Sequence, residues 1–445
     1  KPLVSENRDE SMEFGMADTL ISKLSSGYQI TVRPLATVRR FAQLDQDPVE
    51  AGRLLGADAV LDGGIQMSVD RVRITAKLLR VSDGKQLWAD QYDQRSTDIF
   101  TLQDSISERV AAALRATLGN RRVKNYTDNL EAYQLFSKGR LHSSRLILPE
   151  VEKGIAYYEQ AIAVDPNYAL AYVELANAYR AMVLTNDARP SDVVPKAKEY
   201  ALKAIELDSS LAEAHTALGI ISFWYDFDPP SAERHHLRAL ELDPNSSLSL
   251  FSYAHFLSNT GQHEKALAEI KRARELDPVS LVTNALEGQI LFFAGKEDEA
   301  LRVLTATAEM DRTFWLPPLF ITRIYLKRGM WEEALAVATT ARELSHGNSE
   351  AVALVATAHA MAGRRDEARS ILRELENRRA AGYVPSYGLA GAYEALGERG
   401  TALDLLEKSF LERDALMVFL KVDPKWDNMR SEPRFIELMR KMKFD

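Results

Sequence analysis

The sequence predicts a multidomain chain in which a small α/β module precedes an all-α array of helix pairs. Three observations predict it. Gly261, Gly295, Gly329, Gly363 and Gly397 stand 34 residues apart (295 − 261 = 34). Five residues after each comes an alanine, at Ala266, Ala300, Ala334, Ala368 and Ala402, with helix-period apolar patterns on both sides. Before about residue 120 the period changes, and two-residue alternation appears between short helical stretches.

In chain order, Ala17, Leu20, Ile21 and Leu24 mark one face of a helix, and Tyr28, Ile30 and Val32 alternate as a short strand. Asp47 and Pro48 form an N-cap and first-turn pair that opens a helix running through Leu55. LGADAVLDGGIQM then reads as a buried strand. RVRITAKLL alternates through Val72, Ile74, Ala76 and Leu78, and Ser82-Asp83-Gly84 turns the chain into QLWADQY. These three strands should form an antiparallel meander, followed by a helix that buries Leu102, Ile106, Val110 and Ala113. Residues 1–120 are therefore assigned to the α/β module and 121–128 to a linker, where Arg121, Arg122 and Lys124 form a small basic patch best read as solvated.

Residues 129–422 form the array. Helix pairs are expected to start near Leu130, Ala169, Leu211, Ser247, Leu281, Trp315, Ser349 and Tyr383, with the second pair lengthened by a loop from Thr185. Pairs tend to end in Asp-Pro, as at Asp165-Pro166, Asp243-Pro244 and Asp277-Pro278, where proline stops one helix and starts the next. Asp208-Ser209 and Asp311-Arg312 read as weaker versions of that stop. Residues 423–445 read as a polar-faced capping helix, with Phe435, Leu438, Met439 and Met442 on its apolar side and Arg440, Lys441 and Lys443 at its end.

Composition excludes several kinds of chemistry. The chain has 445 residues and no cysteine, so disulfides, thiolate catalysis and cysteine zinc sites are ruled out, while the compartment stays open. A net charge of −8 gives no overall basic field for phosphate backbones or anionic lipids. The apolar runs from Leu218 and Ala351 are shorter than the roughly 18 residues of a membrane span. No Walker or GxGxxG spacing surrounds Gly56, Gly63 and Gly64, which read instead as close strand packing. The neighbours His235 and His236 diverge on a helix and read as ordinary surface histidines rather than a metal site. Glu332-Glu333 and Asp298-Glu299 fall where helices start and compensate the macrodipole. Trp224, Trp315 and Trp331 read as packing between helices. No nucleophile elbow or triad is present, and no catalytic residue, cofactor or metal ligand is assigned.

The words NTGQHEKA, FAGKEDEA, KRGMWEEA, MAGRRDEA and ALGERGTA resemble the turn of the tetratricopeptide repeat. The run from LGADAVLDGG through LWADQYD, DIF and QD to RVAAAL looks like the TolB amino-terminal-like domain over most of residues 1–118. That family usually starts with a strand containing Leu-Pro-Phe, so in a chain starting Lys1-Pro2-Leu3 the first strand reads as truncated or as supplied by residues not included, and the lack of an initiator Met or signal segment suggests a cut just upstream. The order of modules, ending in SEPRF at Ser431, is similar to the extracytoplasmic half of CadC-like transmembrane transcriptional regulators. The resemblance implies a right-handed superhelix that senses or binds a protein or peptide, on the periplasmic side of the inner membrane. A DNA-binding head and a membrane helix would lie upstream, so DNA and membrane would be reached only through them. An accessory region of an adenylate cyclase or protein kinase, and a free-standing scaffold or assembly factor, are the alternatives.

In a tetratricopeptide stack the first helix of each pair lines the concave face. The positions expected there are Phe251, His255, Asn259, Gln289, Phe292, Arg323, Lys327, Tyr387 and Glu394, a mixture suited to an extended segment of acidic or apolar character.

Overall fold

The computed structural model describes residues 10–27, 32–33, 35–41, 46–67, 71–95, 99–113, 127–143, 148–184 and 188–444. The chain divides into two compact units, one of residues 1–175 with 276–279, the other of 176–275 with 280–445. The expected strand positions Tyr28 and Ile30, the basic patch at Arg121, Arg122 and Lys124, and the start at Lys1 lie outside the described residues. So does the beginning of the loop at Thr185.

In the first unit, α1 (Glu10–Gly27), α2 (Leu35–Val38) and α3 (Pro48–Leu54) precede β1 (Ala59–Met67), β2 (Arg71–Arg80) and β3 (Gln86–Arg95). Asp47 caps α3 by accepting from Val49 N at 2.8 Å. The strands form the expected antiparallel meander in the order β1-β2-β3, with Leu61 opposite Leu78 and a register shift at Leu78/Leu79. Gly63 lies against β2 so closely that a Cβ would stand 2.2 Å from the Thr75 carbonyl, which accounts for glycine there by backbone approach. The inward residues Ile65, Val72, Ile74, Leu78 and Tyr92 form one core with Met16 and Leu24 of α1 and with Leu102, Ile106 and Val110 of α4 (Ile99–Ala113).

That core extends into the first helix pair, α5 (Leu130–Ser143) and α6 (Leu148–Val164). Tyr133 of α5 belongs to it, with its hydroxyl 3.2 Å from Thr19 Oγ1 and accepting from Gln103 Nε2 at 3.0 Å. Gly15 of α1 faces Ser137, where no Cβ would fit, and the Arg140 guanidinium donates to the Asp18 carboxylate. Here α1 packs directly on α5 through a small residue and a paired charge.

α7 (Ala169–Leu184) begins in the first unit and continues into the second. The pairs that follow are α7 with α8 (Pro190–Leu207), α9 (Ala212–Trp224) with α10 (Pro229–Leu242), and α11 (Ser247–Asn259) with α12 (His263–Leu276). Next come α13 (Leu281–Phe293) with α14 (Glu297–Met310), α15 (Leu316–Lys327) with α16 (Trp331–Leu344), α17 (Ser349–Met361) with α18 (Arg365–Ala381), and α19 (Ser386–Ala395) with α20 (Arg399–Leu411). Two 3₁₀ stretches, Ala415–Phe419 and Pro424–Met429, lead to α21 (Pro433–Lys441).

The repeat words explain themselves in these turns. All five period glycines have positive φ, between 73° and 90°. The amide after each reaches back to the helix it leaves, as Lys296 N does to Leu291 O at 2.8 Å, closing a Schellman cap. The five alanines are fully buried where paired helices cross. The aspartates carry the other turn whether or not proline follows. Asp311 Oδ1 accepts from Thr313 N at 2.8 Å and Asp208 Oδ1 from Ser210 N at 3.1 Å, just as Asp243 Oδ1 accepts from Asn245 N at 3.1 Å. The non-proline versions are thus equivalent in geometry, because the Asx turn needs the carboxylate and not the ring.

Gly329→Val forces a β-branched residue to φ 73° and should cost about 1–3 kcal/mol, read as a lower denaturation midpoint. Gly382→Ala is the control, since that glycine is extended and a Cβ there meets nothing within 4 Å. Equal midpoints for the two variants would contradict the role of the turn.

Candidate functional site

The first helices of successive pairs present one row of residues, and the last part of the chain runs along that row. α20 stops at Arg413, a non-glycine residue at φ 56°. Its guanidinium lies over the rings of Phe227 and Phe410, at 5.2 and 5.6 Å, and donates to the Tyr225 carbonyl at 3.3 Å. Asp414 then accepts from Ser409 Oγ at 2.7 Å, Tyr387 N at 3.1 Å and Leu416 N at 3.0 Å, which ties the departing chain to the start of α19. Burial pushes the Asp414 carboxyl up despite these donors.

From there the chain crosses the first helices. Phe419 packs against His255 of α11 (5.6 Å, edge-on) and Phe293 of α13 (5.9 Å), and the Arg323 guanidinium of α15 lies 5.5 Å from its ring centre. Arg323 also donates to Glu350 of α17. Trp426, fully buried, donates through Nε1 to the Tyr387 hydroxyl of α19 at 2.8 Å, and the two rings meet edge-on at 5.4 Å. Lys425 Nζ stands 4.0 Å over the Tyr387 ring and 3.4 Å from Asp423 Oδ2. Beyond α21, Phe444 reaches Phe223 of α9 at 6.1 Å and Lys443 Nζ reaches Asp228 Oδ1 at 3.0 Å. Met417, Val418, Leu420 and Met429 are fully buried along the way. The segment therefore occupies the row from α9 to α19.

Against this geometry the nine expected positions separate. His255, Arg323 and Tyr387 converge on the segment, whereas Asn259 is buried and bonded within its own helix, donating to the His255 carbonyl at 2.9 Å. Phe292 is buried with Lys327 Nζ 5.6 Å from its ring centre, and Lys327 is partly exposed and paired with Glu297 at 2.9 Å. Glu394 pairs with Arg399 at 3.7 Å, and burial raises its carboxyl. Gln289 is buried and Phe251 half-buried. The residues that sequence reasoning missed are Phe419, Asp423, Lys425 and Trp426. The sequence pattern assigns Phe419 to the end of the array and the other three to a cap, although the rare Trp in VDPKWDNM is a usable signal.

His236 also departs from expectation. Its side chain packs on Gly219 of α9 and is buried, because the small residue opposite leaves a ring-sized space. His235, by contrast, faces His215 with 3.2 Å between their Nδ1 atoms. Burial lowers His236 to about 3 and His255 to about 4. The unfolded chain binds these protons near the ordinary 6.5, so it takes up more protons than the folded one as pH falls. Stability should accordingly be full above about pH 6.5 and decline towards pH 4, by roughly 1 kcal/mol per pH unit for each ring. Denaturant midpoints equal at pH 7 and pH 5, or NMR titration of either ring near 6.5, would contradict this burial.

A family profile described as tetratricopeptide repeat matches residues 237–268, which span the end of α10, all of α11 and the start of α12. Residues 237–268 thus match one tetratricopeptide repeat, and the five period glycines repeat its turn conformation at 34-residue spacing. Among curated proteins, the chain is 30% identical over 221 residues to a protein of Rhizobium meliloti (strain 1021) named putative adenylate cyclase 3, covering 47% of this chain and 37% of that one. It is 32% identical over 123 residues to the Homo sapiens protein O-mannosyl-transferase TMTC3, covering 28% and 12%. The chain thus spans little more than a third of the first relative's length and about an eighth of the second's. Among solved structures, yeast Tom70 is similar at 17% identity over 73% of this chain and 69% of that one, with a TM-score of 0.43. Pseudomonas aeruginosa PilF is similar at 22% identity over 47% and 90%, with a TM-score of 0.36. Among the described residues, no helix is long and apolar enough to cross a membrane, and no group of three or more potential metal ligands occurs.

Proposed function

We propose that this chain is a non-enzymatic protein-interaction region of a bacterial signalling protein, in which the repeat array recognises a protein or peptide segment and the α/β unit relays that engagement to an effector. The array carries this reading. Its aromatic and cationic side chains His255, Arg323 and Tyr387 on the first helices hold residues of the chain's own segment 415–429, which supports a peptide segment as the partner. The TolB-like resemblance of residues 1–118 and the order of modules favour a CadC-like transcriptional regulator, with this region on the periplasmic side and the DNA-binding head beyond a membrane helix. The 30% identity to the Rhizobium meliloti protein favours a second reading, an accessory region of an adenylate cyclase.

The coding sequence upstream of Lys1 separates the two. A DNA-binding domain and membrane helix there support the first, a cyclase domain supports the second, and neither would overturn both. For partner recognition, the partly exposed Lys327 is the residue to change. Lys327→Glu should weaken a crosslinked and identified partner about three- to tenfold, as loss of a partly exposed charge contact does. Unchanged affinity would remove Lys327 from the surface. Arg323 is unsuited to this test, because its buried guanidinium is held by Glu350 and its loss perturbs the fold first.

A further inference from the structure

The C-terminal segment is more than a lid on the last helix pair. A solenoid cap covers the end of the stack, whereas residues 414–430 run across the first helices of several pairs and place a different side chain on each. Phe419 sits among His255, Phe293 and Arg323. Seven residues on, Trp426 sits on Tyr387 with its indole N–H bonded to the phenol. Between them, the buried Asp423 carboxylate pairs with Lys425 at 3.4 Å and lies near enough to Arg323 for its charge to act on the guanidinium, which itself donates to Glu350. The stretch contains no α-helix; it is two short 3₁₀ turns, each capped by the aspartate before it, Asp414 through Leu416 N and Asp423 through Lys425 N. Aromatic anchors on different helices, a buried acid near a buried arginine and little regular structure are how an extended peptide is held in a groove.

We propose that residues 414–430 are a tethered ligand of the repeat groove, and that the partner segment this groove fits carries the same pattern, an aromatic residue followed seven positions later by tryptophan with a carboxylate between. The inference rests on the reading of the array as a peptide-recognising surface and specifies its partner. In the state described, the groove is closed by the chain itself. An incoming segment competes with a resident held at high effective concentration, so recognition depends on displacement rather than on an open cleft.

The test uses the full chain and a labelled synthetic peptide of residues 414–430, DALMVFLKVDPKWDNMR. Phe419→Ala weakens the resident segment while leaving the groove side chains in place. The peptide should bind this variant at least about tenfold more tightly than it binds the wild type, and a peptide with alanine at the positions of Phe419 and Trp426 should not bind. Equal affinity for both chains, or no binding to a Phe419→Ala chain of unchanged helical content, would overturn the proposal. Should that variant fail to fold, hydrogen exchange on the wild type decides. The amides of Met417, Leu420, Asp423 and Trp426, all bonded within the segment or to its neighbours, should exchange faster with excess peptide present. Rates that stay the same would overturn it. A failed peptide test together with partner binding that depends on Lys327 would leave the recognition reading standing and remove only the tethered ligand.

Discussion

Trp426→Ala should lower the stability of the second unit by about 3–5 kcal/mol, the range for removing a fully buried large aromatic. The indole is flanked by Tyr387, Phe435 and the Lys425 ammonium, 5.0 Å from the Trp426 ring centre, so little around it can collapse into the space left behind. Its loss also leaves the buried Tyr387 hydroxyl without its donor, a further cost of about 1 kcal/mol or more. Trp426→Phe keeps most of the volume and should cost the smaller, hydrogen-bond part. Ile436→Ala, at a position 54% exposed, should be almost neutral. Chemical denaturation followed by circular dichroism orders the three variants. A Trp426→Ala midpoint matching that of Ile436→Ala would show that the segment is not packed as described.

The second large effect concerns the charge beneath Phe419. Arg323→Ala removes the cation from a pair whose side chains are only 6% and 14% exposed, leaving the Glu350 carboxylate without that partner. A loss of about 3–5 kcal/mol is expected. Replacing both partners, as Arg323→Met with Glu350→Leu, should recover most of it, because much of the attraction in a buried pair only offsets the desolvation of its two ions. Asp423 then retains Lys425 at 3.4 Å. A double variant as unstable as the single one would show that the pair contributes net stability of its own.

The parts of this molecule that could be read from sequence are those fixed by neighbours in the chain. The period glycines declare a positive φ because only that conformation closes each turn, and the alanine five residues on declares a helix crossing too close for a larger side chain. Val72, Ile74, Ala76 and Leu78 declare their strand in the same way, since alternation is a local property. The candidate surface was half legible. Position within the repeat placed His255, Arg323 and Tyr387 on the first helices, but nothing local marks that the chain returns to them. Arg413 meets Tyr225 across 188 residues, and Lys443 meets Asp228 across 215. Contacts of that span leave no periodicity. His236 looks like a surface residue in sequence for a related reason, because the space it fills is made by a glycine on another helix. The aspartate turns at Asp208 and Asp311 were undervalued because proline is more conspicuous in a sequence than the carboxylate that forms the turn.

The ties from Arg413, Lys443 and Phe444 back to α9 and its following turn have a consequence for how this array can vary. An ordinary solenoid is an open chain of nearest-neighbour contacts, so a 34-residue unit can be deleted or duplicated with local effects only. Here the end of the chain must land on a point six pairs earlier, and every pair between contributes a fixed rotation to reaching it. Removing one pair would carry Phe444 away from Phe223 and Lys443 away from Asp228 at a stroke. The number of repeats between α9 and α20 is therefore set by closure, and the second unit should unfold as one cooperative body rather than fraying pair by pair from its end.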